Sequence, residues 1–102
     1  MTFDEYQEFA RSTKIYPEDV KVVYPTLGLC GEAGEVAEKI KKHMRDGRSL
    51  VGVGLELGDV LWYISALADD LDITLEEIAQ ANIQKLSDRK ERNVISGDGD
   101  NR

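Results

Sequence analysis

Hydrophobic positions recur every three or four residues along most of the chain, which is the spacing of amphipathic α-helices. The pattern divides into four segments separated by short polar connectors. The four predicted helices begin near residues 3, 25, 50–54 and 75, and they end near residues 12–15, 45, 71 and 92. Residues 22–24 favour a strand by propensity, but no second strand is available to pair with them, so we reject a strand there.

The ends of the predicted helices carry recognisable capping residues. Thr2 with Glu5, and Thr74 with Glu77, each form the pattern of a capping box, in which two side chains satisfy backbone N–H groups of the first turn. Gly47 follows the second helix and suits a C-terminal cap. These signals predict an all-α fold, a four-helix bundle that oligomerises through helix packing.

Length and composition bound the organisation of the chain. A chain of 102 residues supports one domain, which we expect to cover residues 1–93, followed by a flexible tail at residues 94–102. A net charge of −7 argues against binding to nucleic acid, because such proteins present basic patches to the phosphates. No apolar run reaches the roughly 18 residues of a membrane-spanning helix. The lone Cys30 cannot form an internal disulfide, so we expect a cytoplasmic protein in which this thiol is a small buried filler.

Two pairs of acidic residues are the strongest chemical feature of the sequence. Glu32 and Glu35 lie on the second predicted helix, and Glu56 and Asp59 lie on the third. A step of three residues places both side chains of a pair on one helix face, so antiparallel packing of the two helices would gather four carboxylates. The alternative is that each acidic pair lies on a solvent-exposed helix face and binds no metal. We favour a metal site, because Glu56 and Asp59 interrupt an otherwise apolar segment.

The residue types in this cluster select among metals. Carboxylate oxygens without cysteine or a nearby histidine suit Mg²⁺, with Mn²⁺ as a substitute, rather than zinc. A di-iron bundle would need Glu-x-x-His, and His43 stands at no such position.

Three glycines that recur every third residue, Gly28, Gly31 and Gly34, suggest that a neighbouring helix approaches closely.

The sequence resembles the MazG family in these same residues. The order Glu32-x-x-Glu35 and then Glu56-x-x-Asp59 looks like the family's Glu-x-x-Glu and Glu-x-x-Asp motifs, flanked here by the same kind of small residues. The segment Asn82-x-x-Lys85-Leu86-x-x-Arg89 resembles the family's pattern on the fourth helix. The resemblance extends from about Leu27 to about Arg92.

The resemblance implies a Mg²⁺-dependent pyrophosphohydrolase that converts a (d)NTP to the (d)NMP and pyrophosphate. It implies that all four acids bind metal and that Glu32 or Glu35 is the catalytic base. It also implies that Lys85 and Arg89 contact phosphate, that Asn82 contacts sugar or base, and that subunits pair as a homodimer or a dimer of dimers. A neighbouring subunit could then complete the nucleotide pocket.

Three more residues have both a functional and a structural interpretation. Trp62 and Tyr63 could stack on a nucleobase, although aromatic residues of an apolar helix more often lie in the core. Lys39 continues the carboxylate stripe and could reach a β- or γ-phosphate, although a helical lysine is more often solvated. The candidate substrate-binding residues are Asn82, Lys85, Arg89, Lys39, Trp62 and Tyr63.

Two other functions stay open at this point. The same acids would serve an enzyme that hydrolyses phosphoribosyl-ATP, and substrate profiling separates the two activities. The chain could also be a catalytically silent helical module that binds nucleotide and regulates a partner. The presence of all four acids argues against the silent module.

Overall fold

Four α-helices joined by short connectors form the fold. The computed structural model describes residues 1–100, and no strand occurs among them, which confirms the all-α prediction. The helices are α1 (Phe3–Ser12), α2 (Val23–Asp46), α3 (Val53–Asp70) and α4 (Leu75–Glu91), with a short 3₁₀ helix at Glu18–Val20. Across residues 1–100, none of the helices has both the length and the apolarity needed to cross a membrane.

Local capping explains where α1 and α4 begin. Thr2 Oγ1 accepts the N–H of Glu5 at 3.1 Å while Glu5 Oε1 accepts the N–H of Thr2 at 3.0 Å. Thr74 and Glu77 repeat this exchange at 3.0 and 3.2 Å. Each box satisfies two donors of the first turn and contributes about 0.5–2 kcal/mol. Gly47 adopts a φ of 69° after α2, as a C-terminal cap requires.

The start of α2 was predicted two residues too late, because a tight turn precedes it. Val22 has φ 68° and ψ −51°, and the N–H of Val23 donates to the carbonyl of Lys21 at 2.7 Å. This is a γ-turn with positive φ, which is strained for a β-branched residue. Pro25 lies in the first turn of α2, where its missing N–H does no harm, and it is fully buried.

A buried carboxylate at the end of α3 holds that turn. The side chain of Asp70 has no exposed surface, and it accepts Lys14 Nζ at 2.8 Å, Tyr16 Oη at 2.7 Å and the N–H of Val22 at 2.9 Å. Its neighbour Asp69 accepts Lys14 Nζ at 2.7 Å and Arg11 Nε at 2.8 Å. The connector between α1 and α2 is therefore fastened to the C-terminal end of α3.

The contacts between α2 and α3 show that these helices run antiparallel. Gly28, near the start of α2, lies against the ring of Tyr63 in the second half of α3. Lys39, later in α2, lies 3.9 Å from Glu56 near the start of α3. Elsewhere α1 packs on α3 and on α4. Gln7 of α1 donates to the carbonyl of Ile73 at 3.0 Å and accepts from the N–H of Leu75 at 2.9 Å, which ties α1 to the start of α4.

Two expectations about α2 are wrong within a single chain. Of the three regularly spaced glycines only Gly28 meets a neighbour, whereas a Cβ at Gly31 or Gly34 would meet nothing within 4 Å. Cys30 is exposed rather than buried. The reason is the same in each case, since α3 covers one face of α2 and no other described element covers the face that carries these residues.

Gly28→Ala is expected to lower the free energy of unfolding by about 1–3 kcal/mol, because its Cβ would overlap the rigid ring of Tyr63. Urea unfolding followed by circular dichroism at fixed protein concentration measures the change. Gly54→Ala is the matched control. A Cβ at Gly54 meets open space, so alanine there should leave stability unchanged or slightly higher. Equal stabilities for the two variants would contradict the packing described above.

Candidate metal centre and adjoining groove

Antiparallel packing of α2 and α3 brings three acidic side chains together. Glu56 and Asp59 project from one face of α3, and Glu32 faces them from α2. One carboxylate oxygen from each of the three lies within 4.8 Å of the others. We call these three residues the acidic cluster. Glu32 and Glu56 are half-buried and Asp59 is exposed, so the cluster opens to solvent on one side.

The electrostatics of the acidic cluster favour a bound cation. Desolvation raises the pKa of Glu32, and a hydrogen bond with Glu56 and the charge of Asp59 raise it further. The Glu32 carboxyl therefore retains a proton more readily than an isolated glutamate does. Three oxygen donors without nitrogen or sulfur suit a hard divalent ion such as Mg²⁺ or Mn²⁺, which would relieve the repulsion.

Glu35 stands apart from the acidic cluster. It lies one turn beyond Glu32 on α2 and is exposed, and the three-residue group does not include it. Its charge nevertheless contributes to the raised pKa of Glu32, so it lies at the edge of the site. The structure thus gathers three of the four predicted metal ligands and leaves the fourth beside them.

An aromatic groove adjoins the acidic cluster. Its cavity of about 340 Å³ is lined by Thr13, Glu32, Asp59, Trp62 and Tyr63. The indole Nε1 of Trp62 donates to Thr13 Oγ1 at 2.7 Å, and the rings of Trp62 and Tyr63 meet edge to face with centroids 5.0 Å apart. Both aromatic residues predicted to contact substrate therefore line the groove beside two of the carboxylates.

Comparison with known proteins agrees with this geometry. Residues 25–94 match the family model described as the MazG nucleotide pyrophosphohydrolase domain. The chain belongs to the MazG family. It is also 44% identical to the Gene 37 protein of Mycobacterium phage L5 over an alignment of 114 positions, which covers all of both chains. No solved structure gives a significant match.

Membership of the MazG family gives the acidic cluster a chemical context. The family comprises nucleotide pyrophosphohydrolases, which act on nucleotides and generally depend on a divalent metal. All three residues of the acidic cluster fall within the matched segment, as does the exposed Glu35. The matched segment includes neither α1 nor Thr13. Thr13 therefore lines the groove although it lies outside the matched segment.

The polar residues of α4 do not line the aromatic groove of their own MazG chain. Asn82 and Lys85 line a separate surface cavity of about 330 Å³ with Ile78 and Ala81. Arg89 is only 4% exposed and donates to the backbone carbonyl of Asp100 at 2.7 Å. Lys85 lies 3.2 Å from the Asp100 carboxylate. The role of the three α4 residues in substrate binding stays a prediction. The predicted flexibility of the tail at residues 94–102 also stays a prediction, and residues 101–102 lie outside the described part of the chain.

The lysines of α2 divide between the site and the surface. Lys39 Nζ lies 3.9 Å from Glu56 Oε1, at the outer limit of an ion pair, so this residue borders the acidic cluster. Its contact with a β- or γ-phosphate stays a prediction. Lys41 instead pairs with Glu38 at 2.7 Å on the surface, and this contact lowers the pKa of Glu38. Glu38 is thus a surface partner of Lys41 in this structure.

Sequence reasoning missed Thr13 altogether. Thr13 is the C-terminal cap of α1, and its hydroxyl donates to the carbonyl of Ala10 at 2.8 Å while accepting the indole N–H of Trp62. Nothing local in the sequence links Thr13 to a residue 49 positions away. Only the tertiary packing of α1 on α3 reveals the contact.

Proposed function

We propose that this MazG-family protein is a Mg²⁺-dependent nucleoside triphosphate pyrophosphohydrolase. A (d)NTP and water would give a (d)NMP and pyrophosphate. The observation that carries the proposal is that the acidic cluster adjoins the aromatic groove. The cluster offers three carboxylate oxygens to a metal ion, and the groove is large enough for a base. Acids alone are common on surfaces, whereas acids that share a cavity wall with Trp62 and Tyr63 suit a nucleotide.

The proposed mechanism assigns each acidic residue a task. The carboxylates of the acidic cluster hold the cation, and Glu35 or Glu32 accepts the proton of the attacking water. When bound, Mg²⁺ neutralises the triphosphate and lowers the pKa of coordinated water. The water oxygen bonds to the α-phosphorus, the bond from that phosphorus to the α–β bridging oxygen breaks, and pyrophosphate leaves with the electron pair. Exposed Glu35, adjacent to the cluster, is well placed to pass the proton to solvent.

The aromatic groove would bind the base. Trp62 offers an indole face whose orientation is held by Thr13, and Tyr63 supports it edge-on. Base stacking on such side chains contributes about 1–3 kcal/mol and tolerates several bases. Selectivity between bases would then depend on hydrogen-bonding groups at the rim of the groove.

We also propose that the chain works as a homodimer or a dimer of dimers. Its accessible surface is 7433 Å², against about 5,800 Å² for a compact monomer of this mass. Its radius of gyration is 16.4 Å, against about 13 Å for a compact chain of this length. Large apolar side chains such as Leu27, Met44 and Leu55 are mostly exposed. A second copy that covered them would bury a surface typical of permanent dimers.

A dimer would also give the α4 residues a place in the reaction. Asn82 and Lys85 are exposed on α4 and line a cavity separate from the aromatic groove, so they could reach the acidic cluster of a partner subunit. We place the enzyme in the cytoplasm, where Mg²⁺ and nucleoside triphosphates are supplied and a free thiol such as Cys30 stays reduced.

The decisive experiment is pyrophosphate release from each of the eight common NTPs and dNTPs with Mg²⁺, alongside phosphoribosyl-ATP. The parent is expected to release pyrophosphate from at least one nucleotide, and Asp59→Asn should lose about 100-fold or more in rate. Chelation of the metal should abolish release and added Mg²⁺ should restore it. Cleavage of phosphoribosyl-ATP alone would identify the other enzyme, and nucleotide binding without any cleavage would identify a silent module.

A further inference from the structure

A basic cavity lies at the opposite end of the α2–α3 groove from the aromatic side chains. Its volume is about 140 Å³, and it is lined by Lys39, Lys42, Arg48 and Ser49. We call these four residues the basic cavity. Three cationic side chains around one small cavity are unusual in a chain whose net charge is −7. The volume holds roughly four or five water molecules, which suits phosphate groups better than a base and sugar.

The contacts along the two helices fix the order of the three features. Gly28 and Tyr63 meet at one end, the acidic cluster comes next, and Lys39 continues the line from Glu56. Lys42 lies ten residues beyond Glu32 on α2, about 15 Å along the helix axis. The aromatic groove and the basic cavity therefore flank the acidic cluster on opposite sides.

Two of the three cations of the basic cavity, Lys42 and Arg48, are available to a ligand. Across residues 1–100, the side chains of Lys42 and Arg48 form no salt bridge or hydrogen bond, although the charge of Lys42 helps to lower the pKa of Glu38. Neighbouring Lys41 and Arg45, by contrast, are paired with Glu38 and Asp46 at 2.7 Å. Unpaired cations beside paired ones indicate a place for an anion that does not come from the chain.

The backbone around the basic cavity is held in position. His43 Nδ1 lies 2.7 Å from the carbonyl oxygen of Arg48, and the N–H of Val51 donates to Ser49 Oγ at 3.0 Å. The Ser49 hydroxyl hydrogen stays available to donate to a phosphate oxygen. The loop between α2 and α3 thus presents one hydroxyl and one guanidinium beside two lysines.

We propose that the basic cavity is the subsite for the β- and γ-phosphates, and hence for the leaving pyrophosphate. The substrate would lie along the groove with its base at Trp62 and Tyr63, its α-phosphate at the acidic cluster and its phosphate tail at Lys42 and Arg48. Cations at this end would balance the negative charge that develops on the leaving group. This orientation rests on the proposed function, yet binding of pyrophosphate can be measured without any turnover.

The test is isothermal titration calorimetry of pyrophosphate and, separately, of the nucleoside monophosphates, both with Mg²⁺. Lys42→Ala and Arg48→Ala should each weaken pyrophosphate binding about tenfold or more, because a charge-assisted contact is lost. Binding of the monophosphates should change less than about twofold. Lys41→Ala is the matched control, one residue from Lys42 but paired with Glu38, and it should bind pyrophosphate as the parent does.

Several outcomes would overturn the subsite. These are no pyrophosphate binding by the parent, equal affinity in parent and both variants, or an equal loss in the Lys41→Ala control. A loss confined to Lys85→Ala would place the phosphate tail on α4 instead. Lys42→Arg should restore affinity if charge at this position is what matters.

If binding follows the expected pattern but no triphosphate is cleaved, the subsite stands and the proposed function fails. If triphosphates are cleaved but binding is insensitive to these cations, only the subsite fails.

Discussion

Glu32→Gln is expected to lower pyrophosphate release by about 100-fold or more while raising the melting temperature of the metal-free protein. The two effects have one cause. Glu32 shares a hydrogen bond with Glu56 and lies among the charges of Asp59 and Glu35, so a neutral amide removes repulsion when no cation is present. The same change removes a carboxylate that Mg²⁺ would need.

Thermal unfolding with and without Mg²⁺ separates these effects. Mg²⁺ should raise the melting temperature of the parent strongly and that of Glu32→Gln weakly, since a ligand stabilises only the state that binds it. Glu38→Gln is the control on the same helix, because Glu38 pairs with Lys41 on the surface. This variant should keep its activity within about twofold. A Glu32→Gln variant that is both active and no more heat-resistant would rule out a metal-binding role for the cluster.

The second large effect is on stability. Asp70→Asn should lower the free energy of unfolding by about 2–4 kcal/mol, because the buried carboxylate is the common acceptor for Lys14, Tyr16 and the N–H of Val22. An amide nitrogen cannot accept these donors, and the turn before α2 would lose its fastening. Urea unfolding at neutral pH measures the loss. Asp72→Asn is the control, since Asp72 is exposed with a φ of 58°, a conformation that asparagine adopts readily.

The contribution of the Asp70 carboxylate to stability should also appear in the dependence of unfolding on acid pH. Desolvation alone would raise the pKa of Asp70, but the hydrogen bonds from Lys14, Val22 and Tyr16 outweigh it and hold the pKa below the usual 3.8. An acid with a lowered pKa adds stability above its unfolded-state pKa, and this stability is lost as the pH falls through the folded-state value. The parent should therefore lose stability below about pH 4, and Asp70→Asn should lose less over that range. Parallel acid curves for parent and variant would contradict this account.

The sequence predicts those features of the fold that depend on neighbours along the chain. Both capping boxes formed as expected, because each needs only residues three apart. The start of α2 was misplaced because it depends on Asp70, which lies 48 residues from Val22. Cys30 was expected inside because its helix is apolar on that side, yet a single chain supplies nothing to cover it.

For the site, too, the sequence predicts what depends on spacing along one helix and misses what depends on contacts between distant residues. A spacing of three on each helix placed Glu56 and Asp59 together, and antiparallel packing brought Glu32 to them. Spacing alone could not tell that Glu35, one turn further along α2, is exposed and lies outside the three-residue cluster. The basic cavity could not be predicted, because Arg48 and Ser49 belong to the connector between α2 and α3. A connector has no periodic pattern that indicates which way its side chains face.

Trp62 is the single tryptophan of the chain, and its indole is tied to Thr13 at the wall of the groove. The tryptophan fluorescence of the protein, excited selectively, therefore comes from one known position beside the acidic cluster. A base that stacks there would quench or shift this emission whether or not any bond is broken. Stopped-flow recordings on the unlabelled protein could then time the arrival of a nucleotide separately from its hydrolysis.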